Sequence, residues 1–172
     1  MYNPAFDPFN GIYRMLHILK HFDTHDMVEV DRLRIYDFYL LFPYKAYKIR
    51  LKSTETDYKK RLARFVKEKK ENPYNKTISD RRLFLQLKPY QMIALSHIAS
   101  YGLIDPQLLM QQKVKVADVA KMQQVMSQLE EMSDKENNII SWLNSCFRTT
   151  PLSGTYGLKY RTQLLEYKYD GC

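Results

Sequence analysis

The chain has little of several things that would narrow its function quickly. It holds two cysteines, Cys146 and Cys172, in 172 residues. Two thiols cannot build the disulfide framework of a small secreted domain. Five glycines leave no glycine-rich phosphate loop, and no Walker-type lysine follows one. No apolar run approaches the roughly 20 residues that span a bilayer. The N-terminal MYNPAFDPFN carries no basic region followed by an apolar stretch, so no secretory signal is expected. These absences point to a cytoplasmic protein of prokaryotic style, without a membrane partner and without a cofactor.

What the chain has instead is aromatic and apolar mass. Hydrophobic residues make up 45% of it, with 14 tyrosines and eight phenylalanines. That is enough to bury a core in one domain or two very small ones. The densest segment is DRLRIYDFYLLFP, residues 31–43. As a helix it places Leu33, Tyr36, Leu40 and Leu41 on one face, and Ile35, Phe38, Tyr39 and Phe42 over most of the rest. A helix this apolar must be enclosed, by its own domain or by another chain. Tyr36, Tyr39 and Phe42 are the candidate partner-interface residues, because tyrosine pairs an apolar ring with a polar tip.

The formal charge of +8 is unevenly placed. Residues 44–90 hold 15 Lys and Arg against 5 Asp and Glu, and the remainder is slightly acidic. Residues 55–71 read as a helix with Thr54 as its N-cap and Glu55 and Asp57 in its first turn. Its polar faces carry Lys59, Lys60, Arg61, Arg64, Lys67, Lys69 and Lys70, with Arg81 and Arg82 beyond. Such a face can line cations along a phosphate backbone, with a strong salt dependence. It can equally be a solvated helix face or a dock for an acidic protein. Nothing in it resembles a base-reading code.

Elsewhere the pattern is helical, with a few short strands. Asp7-Pro8 starts a helix over residues 8–21, and Asp105-Pro106 repeats that signal. Residues 44–52 alternate loosely, like a short strand or linker. Helices are expected at 80–87, at 89–101 after a break at Pro89, at 118–132, and from a Ser133/Glu136 capping box to about residue 147. Residues 157–162 suit one helical turn and 164–169 a late strand. The order in the second half suits a helix-turn-helix unit with a wing. The division expected along the chain is an N-terminal helical part at 1–52, a basic segment at 53–88 and a winged-helix-like part at 89–172.

Catalytic chemistry is not marked. His17, His21 and His25 are spaced by four, but no cysteine or fixed carboxylate completes a metal set, and solvated or capping histidines are expected. Cys146 follows an apolar helix and should be buried and inert; no base or oxyanion site accompanies it. Glu68-Lys69-Lys70 and Glu166-Tyr167-Lys168 contain the acid-x-lysine pair of some nucleases, but the first sits in a charged helix and the second lacks an acidic partner at suitable upstream spacing. No catalytic residue, metal site or enzyme activity is therefore expected.

Three segments, NPAFDPFNGIYRML, VEVDRLRIYDFYLLFP and GLKYRTQLLEYKYD, together resemble the middle-component proteins of bacterial ABC-three-component systems, which include the Lamassu-type antiphage and antiplasmid operons. The resemblance covers both ends of the chain. It implies a small adaptor of winged-helix character, beside an SMC-like coiled-coil ATPase and an effector, often a nuclease. It implies no catalytic set. A winged-helix DNA-binding regulator using residues 44–90 is the alternative, and non-specific DNA is a further candidate partner within the adaptor reading.

Overall fold

The computed structural model describes residues 3–69 and 78–167. The chain is mainly helical. Its elements are α1 (Pro8–Leu19), β1 (Val28–Glu29), α2 (Val30–Leu41), α3 (Thr56–Leu62), α4 (Asp80–Ser100), α5 (Pro106–Met110), β2 (Lys113–Val114), α6 (Val119–Gln128), α7 (Asp134–Phe147) and α8 (Leu158–Thr162). They fall into two compact units that are interleaved along the chain. One takes Met1–Asp37 and Gln86–Met132, the other Phe38–Leu85 and Ser133–Cys172.

Helix starts follow local chemistry. The Asp7 carboxylate accepts from the Phe9 amide at 2.8 Å, and Pro8 fills the first helical position, where no amide hydrogen is needed. Asp105 does the same for α5, accepting from the Gln107 and Leu108 amides. Ser133 and Glu136 form the expected reciprocal box at the start of α7.

In the first unit, α1 buries Met15, Leu16, Ile18 and Leu19. Gly11 lets α1 approach α4 closely, since a Cβ there would lie 3.1 Å from the Ala94 methyl. β1 and β2 pair antiparallel with Val28 opposite Val114 and Glu29 opposite Lys113. Both valines point into the core, at 4% and 0% exposure. An isolated bridge joins Ile104 to Val116.

In the second unit, α7 supplies Ile139, Ile140, Trp142, Leu143 and Phe147 to the core. Phe147 meets Trp142 and Tyr58 edge-on, at 5.7 and 5.8 Å between centroids. The Trp142 indole donates to the Tyr58 carbonyl at 2.8 Å and so ties α3 to α7. Phe38 and Phe84 add a further edge-to-face pair at 5.9 Å.

Four local expectations are corrected. Residues 43–48 form a 3-10 helix, not a strand. The basic helix is short: α3 ends at Leu62, because Val66 is drawn into the core and its carbonyl accepts from the Tyr47 hydroxyl at 2.6 Å, outside any helical ladder. Residues 70 and 71 of the expected helix lie outside the described residues. Pro89 does not break α4, which runs for 21 residues with that proline inside. Pro89 lies on the exposed side, where water can take the carbonyl left without an amide four residues back. Residues 164–167 form no strand, with Leu164 buried at 1% exposure; residues 168 and 169 lie outside the described residues.

Restoring that amide should show. Pro89→Ala is expected to stabilise the chain by about 1–2 kcal/mol after the looser unfolded chain is allowed for. A thermal melt that rises by several degrees supports this. An unchanged or lower melting temperature would mean that the proline's geometry is itself required.

Candidate functional site

The charged residues divide into those that hold the fold and those that face solvent. Residues 32–40 of α2 are all buried, including Arg32, Arg34 and Asp37. In the first unit, Asp37 accepts from Arg14 Nε at 2.5 Å, Arg14 Nη2 at 3.3 Å and Gln91 Nε2 at 2.9 Å. Arg34 donates to Asp31 at 2.8 Å and to the Gln91 amide oxygen at 3.0 Å. This network explains how a helix enclosed on all sides can carry charge: each buried charge has a partner of opposite sign and further hydrogen bonds.

The second unit has ionic centres of its own, among them two built around a buried cation. Lys45, at 2% exposure, and Lys48 both bind the Asp80 carboxylate, at 2.5 and 3.0 Å. Burial works against the Asp80 charge, but the two ammonium groups outweigh it and hold the acid below its usual range. The other centre is Arg161, which forks onto Glu55 at 2.7 and 3.0 Å and lowers that carboxyl in turn.

Against this background the expected phosphate-contact residues separate clearly. Lys59 and Lys60 on α3, Arg64 just beyond it, and Arg82 on α4 are exposed, and no side-chain partner holds them among the described residues. Arg61 turns inward, reaching Asp57 at 3.4 Å, Ser145 Oγ at 3.3 Å and Cys146 Sγ at 3.1 Å. Lys67 donates to the Ala63 carbonyl and Lys69 sits over the Tyr47 ring. Arg81 is paired with Glu166 at 2.6 Å. Lys70 lies outside the described residues.

The expected interface residues also separate. Tyr36 and Tyr39 are 0% and 2% exposed, so neither offers surface in this structure. Tyr36 stacks on Phe22, and the Tyr39 phenol is pushed far up by burial and then by the Asp80 carboxylate. Phe42 is half-buried against Phe38 and keeps part of its ring open.

Cys146 is buried, and burial raises its thiol pKa, which suits an inert thiol. Cys172 lies outside the described residues. His17 is buried and bonded to the Glu130 carbonyl at 2.9 Å, rather than solvated or capping as its spacing suggests. Among the described residues no three His, Cys, Asp or Glu side chains gather as a metal would need, and no helix is long and apolar enough to cross a membrane.

Sequence reasoning missed one feature of the second unit, a row of tyrosines beside α8. Tyr156, Tyr160 and Tyr167 meet edge-on at 5.4 and 5.6 Å, with Arg50 4.7 Å over Tyr160 and Lys52 5.4 Å over Tyr156. The alternation of Lys48, Arg50 and Lys52 was the only signal for it, since the rings lie more than a hundred residues further on.

The class so defined is a small helical protein that uses its buried charges for its own fold and presents cations on its surface. The chain belongs to the ABC-three component (ABC-3C) system Middle Component 5 family, whose model matches residues 1–170. The resemblance seen in the three sequence segments is thus correct at the level of a middle component. No curated protein and no solved structure matches the chain.

Proposed function

We propose that this chain is a non-catalytic adaptor of a bacterial defence complex of Lamassu type. In this reading it acts in the cytoplasm and links an SMC-like coiled-coil ATPase to an effector nuclease. The observation that carries the reading is the family match over residues 1–170, since a middle component belongs to a system with other components. The open part of the Phe42 ring is the first contact to test, because Tyr36 and Tyr39 variants would act through the core. Co-expression with an SMC-like ATPase of the same system should give a complex that survives gel filtration. Phe42→Ala should weaken that complex while lowering the melting temperature only slightly, through its lost packing on Phe38. A stable monomer that binds neither neighbour overturns the adaptor reading.

A second reading, a winged-helix regulator that contacts DNA through residues 44–90, is favoured by the four exposed cations. Reversing Lys59, Lys60, Arg64 and Arg82 to Glu should lower affinity for random duplex at least about tenfold and flatten its salt dependence. The fold should be untouched, because none of the four holds a partner among the described residues. A marked preference for one short sequence would support the regulator. Weak binding to any duplex, lost in the reversed variant, fits an accessory contact within the adaptor. Duplex binding that the reversal leaves intact counts against the assigned contact residues.

A further inference from the structure

The tyrosine row opens onto a cleft of about 480 Å³ in the second unit. One wall is the first turn of α4, with Ser79, Asp80 and Arg81. The other is the chain leaving α8, with Thr162, Gln163, Glu166 and Tyr167. Tyr167 is both a wall of the cleft and the last ring of the row. The rings are therefore continuous with the cleft. Tyr156 is exposed, and Tyr160 and Tyr167 are half-buried, so ring surface remains within reach of solvent.

Among the described residues, cations outnumber carboxylates around this cleft. Asp80 and Glu166 are the carboxylates of the cleft, and Lys45, Lys48 and Arg81 bind them. Glu55 is matched by Arg161. Arg50 and Lys52 remain as exposed cations, each set over a ring of the row. The Gln163 side-chain amide lies against the Arg50 guanidinium, and it can accept from that group only with its oxygen turned toward it. Gln163 itself has a left-handed backbone at φ 58°, uncommon for a residue other than glycine, and this turn directs the chain along the cleft.

Rings alternating with cations on a groove have a specific chemical use. An unstacked base lies on an aromatic face while its phosphate meets the cation beside it. Duplex DNA keeps its bases stacked and cannot use the rings. A phosphopeptide would need the cations but not three tyrosines in sequence. A single nucleotide would occupy one ring, where three rings follow one another. We infer that this face of the second unit binds a single-stranded nucleic acid, with Tyr156 and Tyr167 as stacking platforms and Arg50 and Lys52 along the backbone. The site shares no residue with the Lys59, Lys60 and Arg64 surface, and it does not rest on the adaptor reading.

The test is fluorescence anisotropy of the full chain with a labelled oligothymidylate of about twelve nucleotides. An abasic strand and a duplex of the same length are the comparisons. The oligothymidylate should bind about tenfold more tightly than the abasic strand, the size expected for one or two stacked bases. Tyr156→Ala should lose about that factor, and Tyr156→Phe should retain it. Tyr167→Ala should behave likewise, and if it lowers the melting temperature the Tyr156 pair decides alone. Oligouridylate distinguishes RNA from DNA as the preferred strand. Equal affinity for the oligothymidylate and the abasic strand overturns the inference, because charge alone would then explain binding. A Tyr156→Ala variant with wild-type affinity overturns it too. The reversed Lys59, Lys60 and Arg64 variant should keep the difference between the two strands, so the site can fail without bearing on complex formation with the ATPase.

Discussion

Asp37→Ala is expected to remove about 3–5 kcal/mol of stability, among the largest effects a single substitution can have here. The carboxylate is 0% exposed and accepts three hydrogen bonds, two from Arg14 and one from Gln91. Without it the Arg14 guanidinium, at 6% exposure, keeps only the Pro4 carbonyl at 3.0 Å among the described residues. A buried cation without a counter-charge is the costly outcome, more than the loss of any one bond. Asp37→Asn keeps the shape and removes the charge, so its loss should be smaller, about 1.5–3 kcal/mol. The double variant Arg14→Met, Asp37→Leu should recover most of the alanine loss, since a packed apolar pair has no charge to desolvate. Urea unfolding followed by far-UV circular dichroism is the measurement. The single tryptophan, Trp142, belongs to the other unit and is the wrong probe for this site. A loss below about 1 kcal/mol for Asp37→Ala would mean that water reaches Arg14 and that the pair is not sealed.

That network also marks where sequence reasoning stops. The apolar character of residues 31–42 is plain in the sequence, and so is the need to enclose them. Whether the cover comes from the same chain or another one is not. The answer lies in partners far away in sequence: Arg14 is 23 residues from Asp37, and Gln91 is 54. Helix starts were legible because their chemistry is local: Asp7-Pro8, Asp105-Pro106 and Ser133 with Glu136 each act within one turn. Helix ends were less so. Pro89 looked like a break because its cost inside a helix is usually decisive, but an exposed position lets water absorb part of that cost. The basic helix looked long because its charges continue past Leu62, while the backbone follows Val66 into the core.

The surface was legible in part for the same reason. Charge counts showed which segment is basic, but not that Arg61 and Arg81 are engaged while Lys59, Lys60, Arg64 and Arg82 are exposed. Composition showed an excess of tyrosine but not its arrangement. A row such as Tyr156, Tyr160 and Tyr167 depends on α8 and the turn at Gln163, and its cations come from residues 50 and 52. Each half of that feature is ordinary alone, and only folding puts them together.

Arg161 holds the two halves in place, and its loss should be comparable to that of Asp37. At 2% exposure it forks onto Glu55 and donates to the Tyr156 carbonyl at 2.6 Å and the Arg50 carbonyl at 3.1 Å. Its guanidinium also lies 5.7 Å from the centre of the Phe147 ring and 5.5 Å from that of Tyr156. Arg161→Ala should cost about 3–5 kcal/mol, because it leaves the mostly buried Glu55 carboxylate without its cation. Arg161→Lys should recover only part of this, since an ammonium cannot make the planar fork. The pH dependence separates the ion pair from simple packing. The Arg161 hydrogen bonds lower the Glu55 carboxyl from its ordinary 4.5 in the folded chain. The stability from that ionisation is therefore fully present above 4.5 and is lost as pH falls through the lowered folded value. Glu55→Gln should then be well below wild type at neutral pH and converge toward it in acid, while any packing loss in Arg161→Ala persists. A gap between wild type and Glu55→Gln that stays constant from neutral to acid would show that the carboxylate's charge contributes nothing. In Arg161→Ala, Tyr156 and Arg50 lose their shared anchor, so the preference for oligothymidylate over the abasic strand should fall more there than in Glu55→Gln.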